Sequence, residues 1–203
     1  MMRATKLHRP LVAAVLLAMS APAGATTLQQ FNLKDLVTRA DKVFRGRVVA
    51  IDSRTVSAGG GELRAVVYTL QVEEGFKGAF REEKGEGGAF VELRMFGGVK
   101  SATRTGALRR FSALPDVPQL TMGREYLLFT TRESQVGLST TLGLGQGAFI
   151  IDDAGKEELT TNAFGNLGLA RSTPQVDLPA RGPVPYARLA EAIRALLVTE
   201  VLP

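Results

Sequence analysis

Apolar and polar side chains alternate along much of the chain between residues 43 and 162, a pattern typical of strands with one buried face. In one such segment Val91, Leu93 and Met95 alternate with Glu92 and Arg94. The alternation predicts strands at residues 43–53, 63–73, 89–95, 123–131, 148–151 and 158–162.

Two segments have apolar residues at helical spacing instead. Leu33, Leu36 and Val37 follow Asn32, a favourable N-cap residue, and predict a short helix over residues 33–40. Near the end of the chain an apolar stripe predicts a second helix over residues 186–198; the stripe consists of Leu189, Ile193, Leu196 and Leu197. Prolines at positions 174, 179, 183 and 185 predict an extended tether over residues 172–185.

Short strands, glycine bends and only two helices predict a mainly β fold, closed into a small barrel. Gly46 interrupts the first predicted strand and indicates a bulge there. We expect the barrel domain at residues 26–171 and the C-terminal helix at residues 186–203. The side chains of Tyr68 and Tyr126 fall in strand patterns and are expected in the core.

The first residues predict a secretory signal at residues 1–25. Arg3, Lys6 and Arg9 precede an apolar run at residues 11–19, and Ala23-Gly24-Ala25 has the small-x-small form of a cleavage site. The apolar run is about half of the 20 residues that a membrane-spanning helix needs. The expected product is exported to the periplasm or the medium, begins at Thr26 and has no membrane anchor.

Composition narrows the chemistry of this product. The chain has no Cys and no Trp, and its one His, His8, lies in the predicted signal. Without the three basic residues of the signal, 25 Lys and Arg fall to 22, against 20 Asp and Glu. We therefore predict a protein that is not an enzyme, with no cofactor and no metal site, and nucleic acid is not the favoured partner.

The most distinctive polar segment is a basic loop at residues 99–110. It carries Lys100, Arg104, Arg109 and Arg110, with no acidic residue before Asp116. Long irregular loops in compact domains are often functional. These four side chains are candidate contacts for an acidic protein surface. The alternatives are a solvated loop, or an oligosaccharide or single-stranded nucleic acid as ligand, bound in a salt-dependent way.

Other motifs have structural explanations. The glycines at positions 143, 145 and 147 precede a strand rather than a helix, which favours a bend or a close backbone approach over a phosphate cradle. Asp152-Asp153-Ala154-Gly155 predicts a hairpin turn rather than a calcium loop. The acidic pairs Glu73-Glu74 and Glu82-Glu83 are expected at the surface.

Three segments in order resemble the netrin-like domain, which is also the N-terminal half of the tissue inhibitors of metalloproteinases. Residues 40–49, with Gly46, resemble its first strand, and residues 68–78, which end in Phe76-Lys77-Gly78, resemble its second. Residues 120–128 contain its pattern of Leu120, Gly123, Tyr126 and Leu127. The resemblance covers residues 40–131 and implies a small closed OB-type barrel, here as a cysteine-free, bacterial-style variant.

The resemblance also implies a protein partner, such as a secreted protease. In the inhibitors an N-terminal cysteine chelates the zinc of the protease through its amine and carbonyl. In this chain Thr26 takes that place, and the family's cysteines are absent. Without disulfides, we expect the segment ahead of Asp41 to be mobile and to lose entropy on binding. A protease-inhibitor-like binding module is therefore the leading hypothesis.

Overall fold

The computed structural model describes residues 29–82, 88–97, 117–171 and 177–201. The strands there are β1 (Lys42–Ala58), β2 (Gly61–Lys77), β3 (Arg81–Glu82), β4 (Ala89–Phe96), β5 (Glu125–Thr130), β6 (Ala148–Asp153), β7 (Glu158–Asn162) and β8 (Val184–Pro185). The helices are α1 (Leu33–Arg39) and α2 (Tyr186–Val201), and a short 3-10 helix spans Leu144–Gly147. The helices and strands predicted from the sequence are confirmed, with shifted ends. None of the helices in these ranges has the length and apolar character needed to cross a membrane.

The strands form one antiparallel sheet in the order β3-β4-β2-β1-β5-β6-β7-β8. The predicted closed OB-type barrel is wrong, because this sheet is open. A barrel closes only when its first and last strands pair, whereas β3 and β8 lie at opposite ends and do not pair within the described ranges. The second edge of β5 is occupied by β6, which carries the sheet away from β4. The fold is therefore mainly β, with an open sheet and two helices.

Each face of the sheet carries its own apolar core, as the alternation of side chains along a strand requires. On β5, Leu127 and Phe129 are buried in the core that also contains both helices. Tyr126 and Leu128 are buried in the other core, with apolar side chains of β1, β2 and β4. The prediction that both tyrosines are core residues is confirmed, since Tyr68 lies in this second core too.

β1 and β2 form a long hairpin whose pairing continues to Ala58 and Gly61 beside the turn. The pairing shifts register between Arg45 and Gly46, which confirms the predicted bulge. A Cβ on Gly46 would lie 2.8 Å from the Gln71 carbonyl oxygen of β2, so the close approach of the two strands requires glycine.

The two helices pack on the same face of the sheet. α1 begins at the predicted cap: the Asn32 side chain accepts a hydrogen bond of 2.8 Å from the Asp35 N–H. On α2, Leu189 and Ile193 are fully buried, and Leu196 packs against the same core. Within the segment predicted as a tether, Val184 is also buried and belongs to β8, which pairs with β7.

Candidate functional site

The contact residues predicted from the sequence lie outside the described residues. Thr26 belongs to residues 1–28, and the basic side chains Lys100, Arg104, Arg109 and Arg110 belong to residues 98–116. The predicted secretory signal, residues 1–25, also lies outside the described residues. A candidate site is therefore built from the part of the chain that the structure describes.

The first element of this site is the chain segment just before α1, which a buried glutamine holds in place. The Gln146 side-chain oxygen accepts a hydrogen bond of 2.8 Å from the Phe31 N–H. Its amide nitrogen donates a bond of 2.9 Å to the Gln29 carbonyl. The expectation that the segment ahead of Asp41 is mobile is thus wrong from Gln29 onward, because one amide side chain clasps its backbone.

The glycine run at residues 143–147 places this glutamine. Gly143 has a φ of +57°, and a Cβ there would lie 2.6 Å from the ring of Phe31. A Cβ on Gly147 would lie 2.6 Å from the Leu142 carbonyl oxygen. The predicted close backbone approach is confirmed, and its consequence is that Gln146 faces the N-terminal segment. No local pattern in the sequence indicates that contact.

The second element is the loop at residues 163–171, which follows β7. Two buried asparagines fix it with a closed network of hydrogen bonds. The Asn162 side-chain oxygen accepts from the N–H groups of Phe164 and Asn166, and its amide donates to the Gln146 carbonyl. The Asn166 side chain accepts from the Asn162 N–H and donates to the carbonyls of Thr160 and Gly182.

This network fixes the backbone of the loop in a form that few residues adopt. Asn166 has a φ of +59°, in the left-handed region that asparagine tolerates better than most residues. Burial of amide side chains costs free energy unless their hydrogen bonds are made. Here both amides are bonded, so the loop is held rigidly by the folded chain itself.

The loop exposes two large apolar side chains. Phe164 is 40% exposed and Leu167 is 48% exposed. They lie in one turn, since the Leu167 N–H donates a hydrogen bond of 3.3 Å to the Phe164 carbonyl. We call these two side chains the apolar tip.

The N-terminal segment and this loop run beside each other. The Leu33 N–H donates to the Leu169 carbonyl at 2.9 Å, and the Arg171 side chain donates to the Gln30 side-chain oxygen at 2.7 Å. The apolar tip, the loop and the segment from Gln29 therefore belong to one continuous surface, which is the candidate site.

A groove lies beside β4, apart from this candidate site. This groove has a volume of about 330 Å³ and includes Lys42, Arg81, Glu92, Arg94 and Glu133 in its lining. Its charges largely neutralise one another. Arg94 donates a hydrogen bond of 2.6 Å to Glu92, and this contact lowers the pKa of the Glu92 carboxyl. The groove therefore favours no particular class of ligand.

A cluster of charged side chains surrounds Arg45 on β1. Its guanidinium donates to Glu158 at 2.6 Å and contacts Glu73 and Glu125, and it stacks over the Tyr186 ring with 4.6 Å to the centroid. Hydrogen bonding to Glu158 is the main cause that raises the pKa of Arg45 and lowers that of Glu158. These pairs join β1, β2, β5, β7 and α2, which indicates a structural role.

The acidic pair Glu73-Glu74 takes part in this cluster. Tyr186 donates a hydrogen bond of 2.5 Å to Glu74, which also pairs with Arg194 of α2. Burial, followed by the bond to Glu74, raises the pKa of the Tyr186 hydroxyl.

The described residues contain no group of three or more Asp, Glu, His or Cys placed to hold a metal ion.

No family model and no curated protein matches the chain.

Proposed function

We propose that the chain is an exported, non-enzymatic binding protein that contacts another exported protein through the apolar tip. Export rests on the signal-like pattern of residues 1–25. The observation that carries the binding role is the rigid display of Phe164 and Leu167. Two buried asparagines hold the loop that exposes these side chains.

The rigidity of the loop is what favours binding over simple exposure. Single exposed apolar residues are common on protein surfaces. A partner that covers the apolar tip would bury two large side chains at once. Because the loop is already ordered, little conformational entropy would be lost on binding. Apolar anchors held on rigid supports are typical of the energetic centre of protein interfaces.

The neighbouring segment extends the proposed contact toward the expected mature terminus. Gln29 is anchored, and Thr26 precedes it by three positions in the sequence. The resemblance to the inhibitors of metalloproteinases makes a secreted protease the first partner to test. The missing N-terminal cysteine argues that contact with the protease would not depend on the inhibitors' zinc chelation.

The test compares capture of exported proteins by three immobilised proteins: wild type, Phe164→Ser/Leu167→Ser and Met122→Ser. Met122 is 55% exposed on the loop before β5, so its substitution removes a similar apolar surface elsewhere. We expect a protein retained by the wild type and by Met122→Ser and lost with the double variant. Affinity for that protein should fall at least about tenfold, as for an anchor residue of an interface.

Two results would contradict the proposal. One is repeated capture of no protein from the exported fraction. The other is a captured protein that binds the double variant as well as the wild type. Thermal unfolding of all three proteins is the control for folding, because substitutions at exposed positions usually change stability little.

A further inference from the structure

The β1–β2 hairpin extends beyond the body of the sheet as a two-stranded ribbon. β5 pairs with β1 only from Lys42 to Arg47, and two further backbone bonds, with Gly123 and Arg124, reach Val48. β4 pairs with β2 from Ala65 to Val72, and one further backbone bond, from the Gly97 N–H, reaches the Arg64 carbonyl. Within the described ranges, β1 therefore has an unpaired edge from Val49 to its end at Ala58.

A two-stranded ribbon in water is marginally stable, and sheets of three or more strands are needed for independent stability. The four consecutive side chains from Asp52 to Thr55 are all exposed. The ribbon thus has both an unpaired edge and little packing on its faces. An added strand would supply hydrogen bonds along this edge.

The turn of the hairpin determines which backbone groups point outward. Gly59 and Gly60 have φ angles of +59° and +79°, as in a two-residue type I′ turn. The pair beside such a turn, Ala58 and Gly61, is hydrogen-bonded, and bonded and non-bonded pairs alternate from there. Outward N–H and C=O groups therefore occur at four positions of β1: Ile51, Ser53, Thr55 and Ser57.

We propose that two copies of the chain pair through this edge, antiparallel and centred on Ser53. In this register Ser53 faces Ser53 of the partner subunit, and Ile51 faces the partner's Thr55. All these residues have outward groups, so the backbone bonds of the two edges match. The result is a continuous four-stranded ribbon of β2 and β1 from one copy and β1 and β2 from the other.

Charge selects this register over its neighbours. When Ser53 lies on the two-fold axis, Asp52 stands opposite the partner's Arg54, and Arg54 stands opposite the partner's Asp52. Opposite charges in directly facing positions stabilise a strand pair, and like charges destabilise it. The next registers with matching backbone groups centre on Asp52 or on Arg54, and each places two like charges face to face.

Arg54 is available for this contact. Its ion pair within the chain, with Glu92, is long at 3.9 Å, and its side chain is 54% exposed. Glu92 has a closer cation in Arg94, at 2.6 Å. Reorientation of Arg54 toward a partner subunit would therefore break little within the chain.

The test uses two charge variants, Asp52→Arg and Arg54→Asp, and analytical ultracentrifugation of the exported chain over a range of concentrations. We expect a concentration-dependent dimer for the wild type. Each variant alone should dimerise at least about tenfold more weakly than the wild type, since both facing charge pairs become repulsive. An equimolar mixture of the two variants should dimerise again, because an arginine of one variant then faces an aspartate of the other in both facing pairs.

Cysteine cross-linking tests the register directly, because the chain has no cysteine of its own. Facing Cα atoms in a bonded pair are about 5.5 Å apart, a distance that a disulfide can span. Ser53→Cys should therefore cross-link on oxidation. Ser57→Cys is the matched control and should not, since the two substituted positions lie eight residues apart along the paired strands.

Either of two results overturns the proposal. One is a wild-type chain that stays monomeric up to about 1 mM, a concentration at which even weak association is detected. The other is a dimer that forms as tightly in both single charge variants as in the wild type. Thermal unfolding of each variant shows whether the fold is retained. The Phe164→Ser/Leu167→Ser variant, which lacks the apolar tip, should still form this dimer. A failure of the dimer proposal can therefore be distinguished from a failure of the proposed function.

Discussion

At the scale of single residues, the buried Gln146 side chain holds the N-terminal segment in place. It bonds the Phe31 N–H, 115 positions away in the sequence, and the Gln29 carbonyl. Because both partners are backbone groups, one side chain orders two residues of that segment.

Gln146→Leu should release the N-terminal segment. The substitution keeps much of the volume but leaves the Phe31 N–H and the Gln29 carbonyl without their partner. We expect a loss of about 1–3 kcal/mol in the free energy of unfolding, measured by denaturant titration. Amide exchange at Phe31 should accelerate.

Gln135→Leu is the control for that substitution, because Gln135 is exposed in the turn after β5. Its unfolding free energy and its exchange at Phe31 should match the wild type. Unchanged exchange at Phe31 in Gln146→Leu would show that the segment is held by other contacts.

At this scale the sequence predicted backbone constraints better than side-chain partners. Gly46 indicated a bulge, because glycine inside a strand often marks one, and the bulge is present. The glycines at residues 143–147 indicated a close backbone approach. The contact of Gln146 with Phe31 joins residues far apart in the sequence, and no local pattern encodes such a pair.

At the scale of elements, the alternation and spacing of apolar residues predicted well which helices and strands exist and which side chains they bury. The ends of these elements were predicted poorly. Val91, Leu93 and Met95 lie in one core as predicted. β1 and β2 reach 17 residues each. Their outer parts were missed, because the predicted strands stopped at residue 53 and began at residue 63. Where both faces of a ribbon are exposed, the apolar signal that marks a strand is absent.

Ile193→Asp should destabilise the fold through α2. Ile193 is fully buried between the helix and the sheet, so the substitution places an unpaired charge in the core. We expect a loss of about 3–5 kcal/mol, measured as a lower melting temperature. Val198→Asp on the same helix is the matched control, since Val198 is 61% exposed, and should change the melting temperature little. Equal melting temperatures for both variants would contradict the packing of α2.

At the scale of the whole molecule, the sequence indicated a mainly β chain but not how its sheet ends. One edge of β5 pairs with β1, and closure depends on which strand pairs with the other edge; that strand is β6 and not β4. The number of strands and the glycine bends would be the same in an open sheet and in a closed barrel, so neither indicates closure. The candidate site depends on the same long-range arrangement. Asn162 falls at the end of a predicted strand and Asn166 in no predicted element, and only the fold brings Gln146 and Gly182 to them.

The cluster around Arg45 connects four strands and a helix, so it should affect how the stability of the whole molecule depends on pH. Hydrogen bonding to Arg45 lowers the pKa of Glu158 from its ordinary value of 4.5. The unfolded chain therefore binds more protons in this range, and stability is lost as pH falls below about 4.5. Arg45→Met should reduce that slope, measured as the free energy of unfolding between about pH 3 and 6. Arg132→Met is the control: it removes an arginine that is 88% exposed and contacts Asp41 rather than Glu158, so the slope should equal that of the wild type. An Arg45→Met slope equal to that of the wild type would show that Arg45 does not control the titration of Glu158.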